Sequence, residues 1–538
     1  MICRAVGLLV LILGVLGLPL AQAADRTDIP LKNWGGFSVY RDSVYDDLER
    51  LVTAGFGGQI LLSTKPLSRI EAARTVASAI EKIRSDNTGD TNMRRDLEPV
   101  LDRLIEEFRP ELASLGVRLP GSSIPSPKYF SFLPVDRAQV GAGYSSRDLS
   151  LVNSQGFRLR EGINGETTFE TRAQIGDSLS FYLQPELFGN QEYSRARLAT
   201  GYGKLTLHNV ELVVGRESLW WGPALHGSLI LSDNAPPMDQ IRIASAEPFR
   251  LPWIGKWLGP TKLLFFLARL PAEYPENPTK LAGMRATIAP FPFLELGISR
   301  TMQFDENSPP RLQLKDYPYE LLNPPAGDDP AHPEYRNNNV FAVDADLRLK
   351  DINQYHIPSR DLRLYGEFGW DDTCCDNNFF TANFVPLSSA ESYLVGVQFL
   401  EVFGLESTDA RFEFAKTSGL SFTHTQFTDG YAIHREVISH FIGTSGKDYY
   451  ARVTNWLGPD VMVGMDLRSS VIGSTVKDFS GPKERRFGTG IDLSYRFLDK
   501  KTTLFSAYQF MNRQNRDFKS GDNGVDYLFR LELTRSFR

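Results

Sequence analysis

The chain has 538 residues, 42% hydrophobic and 23% charged, with 59 Lys and Arg against 65 Asp and Glu for a formal net charge of −6. That balance excludes a disordered chain, and a mildly acidic protein without a basic run or tail has no electrostatic footprint for nucleic acid. A mean hydropathy of −0.25 argues against a bundle of spanning helices, while the length suits several ordinary domains or one large β-barrel.

Arg4 precedes an apolar run from Ala5 to Leu18, and Pro19-Leu20 leads into Ala21-Gln22-Ala23. A charged start, a short apolar stretch and a small-x-small end make a secretory signal over residues 1–23, with cleavage expected after Ala23. No later stretch approaches the roughly 20 apolar residues of a spanning helix; the nearest, Leu263 to Ala268, is of strand length. An exported chain of this kind is soluble, secreted, or a closed barrel in an outer membrane. Three cysteines cannot make a disulfide scaffold, and Cys3, far from the cleavage site, implies no lipid anchor.

Residues 24–119 read as a helical module. Ser43 can cap a helix carrying Val44, Leu48 and Leu51, with Asp46 and Asp47 in its first turn and Ala54-Gly55 at its end. Ser68-Arg69-Ile70-Glu71 is a capping box that opens a second helix, with Ile70, Ala73, Val76, Ala77 and Ile80 on one face. A third helix is predicted from Met93 to Leu115, starting nearer Glu98 because Pro99 belongs in a first turn. The run from Val44 to Val76 resembles a surface-layer-homology helical repeat, which implies cell-wall polymer (peptidoglycan) as a partner. A small bundle packing on the rest of the chain is the simpler expectation.

Prolines at 120, 125 and 127 mark residues 120–128 as a linker. Beyond it the period changes from 3.6 to 2. Phe341, Val343, Ala345, Leu347 and Leu349 alternate with Asp344, Asp346, Arg348 and Lys350, and the same pattern recurs around Leu179, Leu362, Val461 and Ile491. Apolar residues on one face and charges of both signs on the other suit lipid outside and a wet lumen inside. The chain ends on the same alternation, with Tyr527, Phe529, Leu531, Leu533 and Phe537 against Arg530, Glu532 and Ser536, and the terminal Arg538 follows the aromatic. Such an ending resembles the targeting strand of outer-membrane barrels. The fold class expected is mainly β: a transmembrane antiparallel barrel of about 16–18 strands over residues 129–538, embedded in outer-membrane lipid and preceded by a periplasmic helical bundle.

Sequence signals for catalysis and metal binding are thin. No phosphate loop, nucleophile elbow or H-E-x-x-H helix is present, and the seven histidines are scattered without metal-ligand spacing. No cofactor and no metal are expected. Cys374 and Cys375 are adjacent in a polar loop, where they can form a strained vicinal disulfide, stay reduced or bridge two chains; a loop staple is the leading reading.

The run "VVGRESLWWGPALHGSLILSDNAPPMDQIRI", Val213 to Ile243, sets Trp220-Trp221 beside Gly222-Pro223, followed by a strand-like Ser228 to Leu231 and an Asp233-Asn234-Ala235-Pro236-Pro237 turn. It resembles the Wzi-type capsule assembly family, whose segment carries a second glycine where Ala224 stands here. "LYGEFGWDD" at Leu364–Asp372, "FEFAKT" at Phe412–Thr417 and "ISHFIGTSGKD" at Ile438–Asp448 add to the resemblance. It implies an outer-membrane barrel with a periplasmic helical bundle that holds capsular polysaccharide at the cell surface without catalysis.

Two readings of the tryptophan pair stand side by side. As adjacent strand residues, Trp220 and Trp221 point to opposite faces, one as an interfacial anchor and one as lumen packing. Alternatively they form a sugar-stacking platform with Arg216, Glu217 and His226 as polar neighbours. The alternative for the whole chain is a porin, which shares the barrel but needs an open channel.

Overall fold

Polar and apolar residues alternate along most of eighteen long strands, and the barrel they close turns the charges inward. The computed structural model describes residues 25–31, 44–85, 97–119, 129–271, 279–305, 337–371, 391–474 and 480–537, apart from short breaks within these spans. The signal segment, Ser43, the 120–128 linker and Cys374-Cys375 lie outside the described residues.

The first strands are β1 (Phe130–Ser145), β2 (Gly162–Ile175), β3 (Leu179–Gly189), β4 (Ser194–Leu207), β5 (Val210–Glu217) and β6 (Met238–Ser245). The wall continues with β7 (Pro260–Arg269), β8 (Thr279–Phe291), β9 (Leu294–Asp305), β10 (Asn337–Leu349), β11 (Asp361–Asp371) and β12 (Glu391–Leu400). It is completed by β13 (Thr408–Lys416), β14 (Lys447–Trp456), β15 (Val461–Ile472), β16 (Glu484–Phe497), β17 (Thr502–Gln514) and β18 (Gly524–Ser536). Each pairs antiparallel with its sequence neighbour, and β18 returns to β1 with Arg137 opposite Ser536 and Ser145 opposite Leu528. No edge remains open.

Strand β10 separates a membrane barrel from a soluble sandwich. Asp344, Asp346 and Arg348 are buried in the lumen, whereas Val343 on the outer face is 38% exposed. In β18, Arg530 and Glu532 are buried while Tyr527, Phe529, Leu531 and Leu533 are exposed. A continuous apolar belt of this kind matches lipid and would be a liability in water. The end where Phe130 and Ser536 lie is called the near end below. Five near-end connections are only two to four residues long, whereas the insertions 146–161, 218–237 and 417–446 all leave from the far end.

The helical module holds α1 (Val44–Thr53), α2 (Arg69–Ser85), α3 (Leu97–Glu107) and α4 (Arg109–Ser114). Ser68 caps α2 as expected, its Oγ accepting from the Glu71 N–H at 3.3 Å. The third helix expected to run through Leu115 is broken at Phe108. Pro110 is the cause: it has no N–H to donate, and its ring crowds the carbonyl four residues back. Leu48, Leu51, Val76, Leu104, Phe108 and Leu112 share one core with Trp220, which arrives from the barrel.

This module closes the near mouth through buried ion pairs. Glu49 meets Arg363 and Arg411 at 3.0 Å each and Lys65 at 3.5 Å. Burial opposes the charge of Glu49, but Arg363, Arg411 and Lys65 outweigh it and hold the carboxyl down at about 2. Glu71 pairs with Lys262 at 2.7 Å, and the backbone N–H groups of Leu62 and Ser63 donate to Glu295. Glu49 and Glu71 of the helices are thus turned into the barrel.

Candidate functional site

The unusual tryptophan segment is the piece that fills the lumen. After β5 ends at Glu217, residues 218–237 turn inward and return to the wall only at Met238. Trp220-Trp221 form a short strand against Thr64-Lys65 of the module, Thr64 opposite Trp221 and Lys65 opposite Trp220. The Gly222 N–H donates to Ser63 O at 2.8 Å, and the Trp221 N–H to Leu231 O at 3.0 Å. Ser228 to Leu231, expected as a strand, makes only that single bridge. Its Leu229 N–H is taken instead by Glu367 of β11 at 2.8 Å.

Two glycines permit this path. Gly222 has φ +141°, and a Cβ there would overlap the Glu367 carboxylate. At Gly227 a Cβ would overlap the His440 imidazole. The glycines that follow Trp220-Trp221 therefore reflect close packing against the wall and against the insertion 417–446.

His226 lies at the junction of three parts. Its Nδ1 is 2.8 Å from Asp448 Oδ2 of β14, its ring stacks on Tyr450 at 4.0 Å, and Phe441 meets it edge-on at 5.1 Å. Ser470 donates to the other oxygen of Asp448 at 2.6 Å. The carboxylate thus stands between serine and histidine, an order unsuited to nucleophilic catalysis, which needs the imidazole in the middle. His440, also buried here, is pushed down to about 4 by burial, with His226 acting in the same direction and Asp448 opposing. Among the described residues no group of three or more His, Cys, Asp or Glu is placed to hold a metal ion.

The five residues singled out in this segment do not form one surface. Trp220 is 3% exposed within the module core, and Trp221 is 1% exposed against Phe266, so neither indole offers a face for a sugar. Strand alternation separates the two charged residues. Arg216 faces outward and makes a two-pronged pair with Asp239 at 2.7 and 2.8 Å; Glu217 faces inward, 3.1 Å from Arg242. His226 is inside the plug. The packing reading of the tryptophans fits this arrangement, with both inside the molecule and neither at the lipid interface.

Three insertions knit the plug together at the far end. The Gln155 and Gly156 N–H groups donate to Asp233 O and Asn234 O, at 2.6 and 2.9 Å. Asn234 Nδ2 donates to Val437 O at 3.0 Å, and the Ser232 N–H to Ile438 O at 2.9 Å. Leu231, Tyr431 and Ile433 share a core with Leu264 and Phe266 of β7. Above this core two small hairpins face outward, one pairing Leu149-Ser150 with Arg158-Leu159 and one pairing Ala432-Ile433 with Glu436-Val437. Arg158 bridges them, donating to His434 O at 3.1 Å and to Glu436 Oε1 at 2.9 Å. Arg158, Arg160 and Asp148 are each more than half exposed. Sequence reasoning passed over these residues, whose only signal was charge in short loops.

A closed eighteen-strand barrel, apolar outside, charged inside and filled from both ends, defines an outer-membrane β-barrel of the plugged kind. The family model described as capsule assembly protein Wzi matches residues 138–525, and the chain belongs to that family. An uncharacterized 55.8 kDa protein in the cps region of Klebsiella pneumoniae is 32% identical over 141 residues, which cover 25% of this chain and only 28% of that relative. Among solved structures, Wzi of Escherichia coli superposes with a TM-score of 0.67 at 20% identity, covering 95% of this chain and 99% of that one. That protein is described as an outer-membrane, carbohydrate-binding β-barrel involved in group 1 capsule assembly. The likeness establishes the fold shared by the two.

Proposed function

We propose that this protein holds capsular polysaccharide at the cell surface as a non-catalytic binding barrel. The far mouth faces outward and the near end, with its helical module, faces the periplasm. Short near-end turns and long far-end insertions support that orientation. The observation that carries the binding reading is the filled lumen: module and plug meet inside the barrel through the Thr64-Lys65 and Trp220-Trp221 pairing. A porin needs a continuous aqueous path, and this packing favours a surface for binding instead.

The surface we assign to the polymer is the paired hairpin face bearing Arg158, Arg160 and His434. Guanidinium groups offer forked donors to sugar hydroxyls and carboxylates, and the plug beneath holds the hairpins in place. The helical module we assign to closing the barrel, since Glu49 and Glu71 of its helices and Lys65 of its short strand lie inside the mouth. Purified protein in a planar bilayer, followed by titration with capsular polysaccharide, tests the reading. Silent bilayers and saturable polymer binding are expected. Steady large channels would favour the porin, and release of reducing ends would favour an enzyme.

A further inference from the structure

The module does not fill the near mouth evenly. Buried ion pairs with Lys262 and Arg363 and backbone hydrogen bonds to Glu295 tie it closely to the β7–β11 side of the wall, while Arg50–Asp409 and Glu107–Arg137 reach β13 and β1. On the opposite side a cleft of about 250 Å³ remains between α1, α3 and strands β13–β18. Helical charges form one wall of it, and the barrel contributes Arg411, Arg452 and Arg496 interspersed with hydroxyl side chains such as Thr454, Ser494 and Thr503.

Cations outnumber anions around this space. Nine Arg and Lys line it against five Asp and Glu, and Glu49, Asp492 and Asp460 behind the lining pair with Arg411, Arg452 and Arg496, which leaves a small excess of cations. Arg103 lies over the Trp456 ring at 3.6 Å and spends its Nε and Nη2 on Asp47, yet its Nη1 is buried with no hydrogen-bond partner among the described residues. Arg496 sits across the cleft with a buried Nε that also lacks a partner among the described residues. Lys500 and Lys501, in the turn between β16 and β17, stand exposed at the rim. One of the five acids, Asp46, is raised to about 7 by burial, with Glu49 and Asp47 adding to it against Arg411 and Arg452. A fraction of it is therefore neutral at physiological pH, which enlarges the cationic excess.

We propose that this near-mouth cleft is an oxyanion-binding site that takes a carboxylate or phosphate group carried on a ligand of about monosaccharide size. Arginine forks match either group in two-pronged geometry, the rim lysines attract it from solution, and the hydroxyl wall suits a sugar body. The site is remote from the hairpin face at the far mouth, and its occupancy does not depend on polymer binding there.

Isothermal titration of the detergent-solubilised full chain with glucuronate, inorganic phosphate and glucose tests it. At least one oxyanion should bind saturably and weaken with salt, while glucose should not bind. Preference for glucuronate would identify an acidic sugar as the natural ligand, and preference for phosphate a phosphorylated one. The rim double variant Lys500→Gln/Lys501→Gln, in an exposed turn, should weaken binding by about fivefold to tenfold, and Arg496→Gln should weaken it further. Lys519→Gln, in the exposed far-end turn between β17 and β18, should leave it unchanged. Absence of saturable binding by either oxyanion, or equal binding by wild type and the lysine double variant, overturns the assignment.

Discussion

Lys65 of the helical module lies opposite Trp220 of the lumen segment, in a two-stranded antiparallel ladder formed inside the barrel. The bundle at the near end and the plug from the far end are therefore one continuous structure. Trp220 adds its indole to the module core, and Trp221 adds its own to the plug core. Replacing either with Ala removes a large buried side chain, a loss on the order of 3–5 kcal/mol in local packing. The barrel should still form and shift on SDS gels after boiling, because its backbone bonds are all between wall strands. Hydrogen exchange should rise in α1 and α2 for Trp220→Ala, and in residues 218–237 for Trp221→Ala. Unchanged exchange in both would mean that the indoles do not couple module and plug.

Glu49 neutralises Arg363, Arg411 and Lys65 at one point. Glu49→Gln leaves three buried cations short of a partner, a cost of about 3–5 kcal/mol for breaking a buried pair. Limited proteolysis should then cut the module while sparing the wall. Because the folded carboxyl is held at about 2, below its ordinary 4.5, this contribution is full above the ordinary value. It is lost progressively as pH falls from about 4.5 to about 2, so docking in the wild type should survive acid down to about pH 5.

Gly222 and Gly227 are positions where a methyl group meets Glu367 and His440, respectively. Gly222→Ala and Gly227→Ala should both assemble as barrels but displace the plug. Planar-bilayer recordings should show intermittent leak conductance absent from wild type. Gly222→Ala should leak more, because its φ of +141° adds backbone strain to the overlap.

His440 gives the plug a pH dependence of the opposite kind to a raised histidine. Its folded value, about 4, lies below the ordinary 6.5, so the plug holds the neutral ring. The contribution is complete above about 6.5 and is lost as pH falls toward 4. Protection of residues 436–446 against hydrogen exchange should therefore drop between pH 7 and pH 4, and His440→Gln should flatten that change.

Much of this fold was legible in the residues. The two-residue period along β10 and β18 carried the barrel, because each inward Asp, Arg or Glu is flanked by outward apolar neighbours. The Ser68 capping box placed α2 to within a residue. The plug was harder to see, since non-local contacts alone put residues 218–237 inside the lumen. One signal was available: Leu263 to Leu267 is apolar without alternation, as in a strand packed on both faces, and Leu264 and Phe266 do pack on the plug. Arg216 and Glu217 looked like neighbours of one site, but adjacent strand residues belong to opposite faces. The far-mouth hairpins were illegible because short charged loops look alike whether they recognise a ligand or merely dissolve.

In the proposed function the outward hairpin face holds the polymer while the plug keeps the lumen shut. Cells carrying Arg158→Ala/Arg160→Ala, assayed for attached and shed capsular polysaccharide at matched barrel abundance, test it most directly. Normal amounts of heat-modifiable barrel, unchanged total polymer and a shift of polymer from the cell to the medium are expected. Attachment identical to wild type at equal barrel levels would contradict it.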